Sequence, residues 1–458
     1  MLINSVEFLV FFPIVLLFLL IMPKSWRIIW MLAAGYFFFM SWSPANVGFL
    51  VFTTLTTYFA ARYLEKKQSK PIVAVTVIVN IIIILLGKYF NLIPVPVGVS
   101  FYTLQALGYV IDIYRKKTAP EKNLLKYALF VSFFPIIQSG PIERSTGLLK
   151  QIQKYDEIQL GDLERIRGGL LLIVWGLFQK MVIADRAAIL VNKVYGDYSA
   201  YGAFEIIIAS LMFSVEIYCD FGGYSNIAIG IARIMGFDVM QNFRQPYLAT
   251  SIKDFWRRWH ISLTSWLTDY VYISLGGNRK GQAKKYIFII IVFAVSGIWH
   301  GRAFSFIVWG LLHAIYQIVG DLKTKIFKRT ADLKPTGIVK IVKIVVTFML
   351  VNFAWMFFAA SGLNAAIDTI KQIFKVTRTS SIFELGLEKG DWIVLILAFV
   401  IVLIVDILHE KNISIKALLD KNIFVLRWIV YAAALLVIII FGIYGVEYDT
   451  ATFMYAQF

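Results

Sequence analysis

Two histidines stand where an imidazole could do chemistry. His300 lies in Ser296-Gly297-Ile298-Trp299-His300-Gly301, between two stretches that read as membrane arms. The residues from Tyr286 to Trp299 are all apolar or small, and those from Ala303 to Gly320 are mostly so. Both outer flanks are basic: Arg279, Lys280, Lys284 and Lys285 on one side, Lys323, Lys325, Lys328 and Arg329 on the other. At 1.5 Å per residue the first arm covers only about 21 Å, short of a roughly 30 Å hydrocarbon core. With both flanks on one side, the pair is a hairpin whose turn carries a histidine within or near the bilayer. An ionisable group there costs free energy, so its default reading is functional. Hydropathy alone leaves a proton relay, a transport site and a catalyst open for it.

His260 sits in Ile252–Tyr270, which the spacing predicts to be one amphipathic helix. Ile252, Phe255, Trp256, Trp259, Leu263, Trp266, Leu267 and Tyr270 fall on one arc, Lys253, Arg257 and Thr264 opposite, and His260 at the boundary. By periodicity this is an interfacial helix with aromatic anchors and snorkelling basic side chains. Asn364–Lys375 reads as a second interfacial helix, with Ile367, Ile370, Ile373 and Phe374 on one face.

The elements that must position these groups are membrane helices. Of 458 residues 59% are hydrophobic and 16% charged, and the mean hydropathy is +0.74, above the 45–50% apolar content usual in soluble domains. One membrane bundle over residues 1–458 is the expected organisation. The net charge of +17 is spread between hydrophobic runs, which marks cytoplasmic loops and argues against nucleic-acid binding. Spans are expected near residues 7–21, 28–42, 47–61, 71–87, 98–113, 124–138, 168–185, 203–219, 286–299, 303–320, 338–358, 391–408 and 428–445, giving roughly 11–13 crossings. The first reads as a span and not as a cleavable signal, since no basic region precedes it. Lys24/Arg27, Arg62–Lys70 and Arg115–Lys126 alternate with uncharged turns at Ser43–Asn46 and Asn91–Val97, which predicts an extracytoplasmic N-terminus. Basic Lys411–Arg427 and a tail from Gly445 without Lys or Arg place the C-terminus on the same side.

Other candidates are weaker. Cys219 in an apolar run reads as a small buried residue, and a lone cysteine with scattered histidines makes no metal site. Gly276–Gly281 lacks Walker spacing and reads as a loop. Gly222-Gly223 reads as a turn or a close helix contact, His313 as a packing or supporting residue, and His409 as solvated.

Whole segments carry more information than periodicity. VGVSFYTLQALGYVIDIYR (97–115), YALFVSFFPIIQSGPIER (127–144), CDFGGYSNIAIGIARIMGF (219–237), NFRQPYLATSIKDFWRRWHISLTSWLTDYVYISLGGNR (242–279) and the residues from Gly297 to His313 occur in that order. Together they resemble the membrane-bound O-acyltransferase family, in the bacterial branch typified by the alginate O-acetylation membrane protein. The motif core is residues 97–313, followed by C-terminal spans and an extracytoplasmic tail over 338–458. Thr268 and Ser274 stand where arginine and proline are common in the family.

The resemblance implies an all-α polytopic bundle with a tunnel through a thinned centre, in a bacterial plasma membrane. It implies His300 as the catalytic histidine and His260 as the second family histidine, with Arg257, Asp269, Asn278 and Trp299 as weaker candidates for lining the site. An acyl thioester is already activated, so transfer mainly needs proton removal from a hydroxyl and proton delivery to sulfur, and one imidazole does both. The implied donor is acetyl-CoA, with an acyl-carrier-protein thioester as the alternative, and no bound cofactor is expected. The ending Phe453-Met454-Tyr455-Ala456-Gln457-Phe458 reads as an interface anchor by composition; it also resembles a terminal aromatic motif proposed as a transient acyl acceptor in related systems. The implied partners are membrane lipids, an extracytoplasmic SGNH-type transferase or esterase, and a cell-surface polysaccharide. Transfer of D-alanine to teichoic acid is the alternative within the family, and a non-catalytic transporter or scaffold the alternative outside it, although no internal repeat supports the latter.

Overall fold

A computed structural model describes residues 1–41, 44–90, 92, 98–158, 160–326, 336–375 and 381–444. The regular elements among them are all helical: α1 (Val6–Ile21), α2 (Lys24–Met40), α3 (Val47–Lys66), α4 (Lys70–Lys88), α5 (Val99–Tyr114), α6 (Leu124–Val131), α7 (Leu163–Gly196), α8 (Ala203–Ile234), α9 (Ile252–Arg258), α10 (Ile261–Leu267), α11 (Gln282–His300), α12 (Phe304–Ile326), α13 (Gly337–Ala359), α14 (Leu363–Lys375), α15 (Lys389–Glu410) and α16 (Phe424–Phe441), with short helical turns between them. Seven of these are long and apolar enough to cross a membrane: α4, α7, α11, α12, α13, α15 and α16. The shorter or more polar α1, α2, α3 and α5 coincide with expected spans. The tail holding Tyr455 and most of the Asn91–Val97 turn lie outside the described residues.

Two expectations about helix continuity are corrected. Residues 124–138 are not one helix: α6 ends at Val131, Phe133 is extended, and a separate turn of helix runs Phe134–Ile137. Pro135 fits this break: it lacks an N–H, which costs nothing in the first turn of the second piece, where it stands. Residues 252–270 are likewise broken, at Trp259 and His260, for reasons given below. Some helices outrun the expected spans, as α8 does by continuing to Ile234, whereas α16 stops at Phe441, short of the expected 445.

The chain forms two compact units. Among the described residues the first holds Met1–Trp175 and Tyr224–Gln241, the second Gly176–Gly223 and residues 242–444. In the first, α5 is buried on nearly every side. Its Gln105 donates to the Phe130 carbonyl at 2.5 Å and accepts from the Glu143 N–H at 3.1 Å. Buried Glu143 in turn accepts from the Met240 N–H at 2.5 Å. Burial raises its pKa to about 7, opposed by the backbone N–H groups it accepts from. Motif residues of 97–144 therefore tie a loop between helices.

In the second unit α11 and α12 form the expected hairpin. Its basic ends meet: Lys285 and Lys325 lie 2.8 and 3.5 Å from Asp321, and Tyr286 donates to the same carboxylate at 2.9 Å. The helix starts before the apolar run, so its 19 residues rise about 28 Å. Small residues let the arms close. A Cβ on Gly297 would collide with the Phe306 carbonyl, and one on Gly310 with the Phe293 carbonyl. Both obstacles are backbone, so the helices themselves must part. Gly310→Ala is expected to lower stability by about 1–3 kcal/mol, the usual range for overpacking, read as a fall in thermal midpoint. An unchanged midpoint would show that the crossing has slack. Gly223 makes a similar approach to the Gly176 carbonyl, so the Gly222-Gly223 pair marks a helix contact within α8 and not a turn.

The amphipathic α14 matches its expected range, with Ala366 and Thr369 buried and Ile367 and Phe374 exposed. Cys219 is fully buried, and His409 is exposed at the end of α15.

Candidate functional site

His300 is the last residue of α11 and is 2% exposed. The turn Gly301–Ala303 follows it, and α12 returns at once. Its ring is enclosed by edge-to-face neighbours: Trp299 at 4.9 Å, Trp309 of α12 at 5.0 Å and Phe358 of α13 at 5.2 Å between centroids. Gly301 is needed beside it, because a Cβ there would strike the Phe306 ring.

His260 reaches the same place by a break in the helix. Trp259 is extended, and His260 adopts φ 42°, ψ 53°, a left-handed conformation that a non-glycine residue rarely takes. Bonds from a distant segment hold it there. The Asn242 carbonyl accepts from the Ile261 N–H at 2.9 Å, and its side-chain oxygen accepts from the Ser262 hydroxyl at 2.6 Å. The Arg244 N–H donates to the Arg258 carbonyl at 2.9 Å. These bonds replace those an unbroken helix would make across Trp259 and His260. Arg258 anchors the break from outside: Nε lies 3.0 Å from Asp254, while Nη1 and Nη2 reach the Glu410 carboxylate at 2.6 and 3.3 Å. Such paired bonds fix direction as well as charge.

The His260 ring is 1% exposed and packs edge-on against Phe221 at 4.7 Å and Trp299 at 5.9 Å. The two family-motif histidines therefore flank one indole, that of Trp299. Burial lowers the His260 pKa to about 3, so this ring is neutral at physiological pH. The aromatic arc of the broken helix is buried throughout, so its apolar face packs on protein.

A cavity of about 580 Å³ lies beside this centre. Exposed Lys253, Arg257 and Asn278 and the Lys285–Asp321 ion pair stand at its polar part; Trp256, Phe293 and Ser296 belong to its buried wall. Ser296 lies one turn, about 6 Å, before His300 on α11. Arg257 and Asn278 therefore line space next to the histidines, as does Thr268. Asp269 is not among the lining residues; it lies on a widened helical turn, Thr268–Tyr272, whose first residue, Thr268, does line the cavity. Trp299 lies between the histidines and not in the cavity wall.

The sequence reading has His313 as a packing or supporting residue, which fits its place here, and misses two further features. His313 is fully buried and accepts at Nδ1 from the Trp256 indole N–H at 3.2 Å. Arg258, and not its neighbour Arg257, carries the anchoring ion pairs; its i,i+4 spacing from Asp254 was the available signal. Next to Phe221, which packs on His260, Asp220 lies 2.5 Å from Lys180, itself 2.8 Å from Asp185, all three almost wholly buried. Among the described residues no three His, Cys, Asp or Glu side chains could together hold a metal ion.

In chemical terms the arrangement offers two imidazoles in aromatic surroundings that exclude water, beside a cavity with a cationic rim. Such a centre can move a proton between a hydroxyl and a leaving group while limiting hydrolysis. Comparison with known proteins fits that chemistry. Residues 116–363 match the family model described as MBOAT, membrane-bound O-acyltransferase family. The chain is 31% identical to a protein of Pseudomonas putida named probable alginate O-acetylase, over 79% of this chain and 78% of that one. It is 32% identical to a peptidoglycan O-acetyltransferase of Helicobacter pylori, over 75% and 73%. A teichoic acid D-alanyltransferase of Bacillus subtilis is 28% identical over 58% and 69%.

Proposed function

Because this chain belongs to the membrane-bound O-acyltransferase family, and is thus a multi-pass membrane O-acyltransferase, we propose that it moves acetyl groups from a cytoplasmic thioester to hydroxyls of a cell-surface polysaccharide. The observation that carries this reading is the pairing of His300 and His260 around Trp299 beside a cavity rimmed by Lys253 and Arg257, with Lys285 paired to Asp321.

His300 acts as general base. It takes the proton of the attacking hydroxyl as the oxygen bonds to the thioester carbonyl carbon. The C–S bond then breaks, and the same proton passes to the departing sulfur. His260, held neutral, orients or polarises the donor carbonyl. The cationic rim suits the anionic groups of acetyl-CoA or of a carrier-protein prosthetic arm. It lies at the end of the α11–α12 hairpin where Lys285 and Lys325 cluster, which the positive-inside rule assigns to the cytoplasm. By the same rule both termini are extracytoplasmic, in a bacterial plasma membrane.

Tyr455 is the proposed first acceptor on the far side. A phenol is a better leaving group than an alkyl alcohol, so an acyl-tyrosine keeps its transfer potential. An SGNH-type partner serine then takes the acyl group and passes it to the polymer. Acetyl is favoured over D-alanyl because the acetylating relatives match more of the chain at higher identity.

The test supplies purified full-length protein with labelled acetyl-CoA or with D-alanyl carrier protein. Label is expected on Tyr455 from acetyl-CoA, and Tyr455→Phe, which keeps the aromatic anchor, is expected to abolish it. Labelling from the carrier protein alone would shift the reading to D-alanylation. Full transfer by Tyr455→Phe would remove the relay.

A further inference from the structure

We propose that Trp256 is a gate between the cavity and His300, and that His313 is its latch. The proposal rests on the reading of His300 as the base. Neither reactive histidine lines the cavity, whose buried wall includes Trp256, Leu263, Phe293 and Ser296. Behind that wall the Trp256 ring meets Trp309 at 5.8 Å, and Trp309 meets His300 at 5.0 Å. A donor carbonyl in the cavity is therefore held off the base by a layer of indole.

One hydrogen bond ties Trp256 into this layer, beside its ring contacts to Phe293 at 5.3 Å and Trp309 at 5.8 Å. The Trp256 indole N–H donates to His313 Nδ1, which assigns the His313 proton to Nε2. That nitrogen is buried and has no partner among the described residues. The ring is thus committed to Trp256, with Trp309 also against it at 5.4 Å and touching Trp256 itself. The gate also has a handle. Lys253 and Arg257, three residues before and one after Trp256 on the seven-residue α9, line the cavity and are exposed. An anionic donor bound there pulls on the same short helix that carries the indole. Opening is thereby tied to donor binding, and Trp256 and His313 are positioning residues that keep water from an unattended thioester.

Two measurements on the full-length protein test this. In the first, His300→Cys is made in a Cys219→Ser background, and its modification by a small cationic methanethiosulfonate is timed. His313→Phe or Trp256→Phe is expected to speed modification about 2- to 10-fold, the factor one buried hydrogen bond supplies. His313→Asn, whose side-chain oxygen stands near the Nδ1 position, is expected to restore the slow rate. The double variant should be no faster than either single one. Equal rates in all these proteins would overturn the gate, whatever the donor.

The second measurement follows free acetate from labelled acetyl-CoA without acceptor. In this leak, water oxygen bonds to the carbonyl carbon, the C–S bond breaks, and a water proton goes to sulfur, giving acetic acid and the thiol. The same two Phe variants should raise the leak by a similar factor, and adding His300→Ala should remove the excess. A leak that rises but survives His300→Ala would leave the gate standing and remove His300 as base. A leak that stays flat while modification speeds up would separate the gate from the reaction and overturn its proposed role.

Discussion

Alanine at position 300 is expected to lower acyl transfer by about 10²–10⁴-fold, the range a positioned acid–base group contributes. The measurement is the initial rate of labelled acyl transfer at saturating donor, with thermal midpoint and elution profile as checks on folding. Donor binding should survive, because the cationic rim of the cavity does not include His300. The loss should therefore fall on turnover and not on donor affinity. Transfer within tenfold of the parent would remove His300 from the chemistry. His260 needs a different control. Its left-handed backbone makes alanine strained as well as ringless, whereas glycine accepts that conformation. His260→Gly therefore isolates the ring, and a smaller loss than at His300 is expected from an orienting group.

The second large effect concerns stability. Lys180→Met leaves Asp185 and Asp220 buried without their cation, and breaking such a pair typically costs about 3–5 kcal/mol. A clear fall in thermal midpoint is expected, together with lost transfer, since Phe221 beside Asp220 packs on His260. Neutralising both acids as well, with Asp185→Asn and Asp220→Asn, should recover much of the midpoint, because replacing a whole buried ion group is far milder than halving it. A single Lys180→Met variant that melts with the parent would show that the two carboxylates do not depend on this lysine.

The sequence reveals those parts of the molecule that depend on local pattern. The hairpin at His300 follows from two apolar arms, two basic flanks and small residues at the crossing, all within one short segment. The break at His260 does not, because the apolar periodicity runs unbroken through Trp259. What interrupts it is Asn242, whose bonds reach across from a separate loop. The anchoring role of Arg258 depends on Glu410, 152 positions away. The Lys180 group likewise joins residues from α7 and α8 that share no sequence pattern. The break after Val131 is the opposite case: Pro135 announces it locally, but the hydrophobic run around it masks the signal. The identity of the two histidines came from motif resemblance; their common neighbour Trp299 became evident only from ring positions.

The α11–α12 hairpin also bears on biogenesis. Between Lys285 and Asp321 the only formal charge is Arg302, in the turn beside His300. Both flanks carry the same retention cue, so neither arm alone dictates a direction for the translocon. The pair is suited to enter as one unit, turn first, carrying a single arginine whose penalty at the bilayer centre is about 2.5–3.5 kcal/mol on insertion scales. The close crossing at Gly297 and Gly310 gives the arms a mutual partner before later helices arrive, so the segment that brings His300 to depth is also equipped to insert by itself.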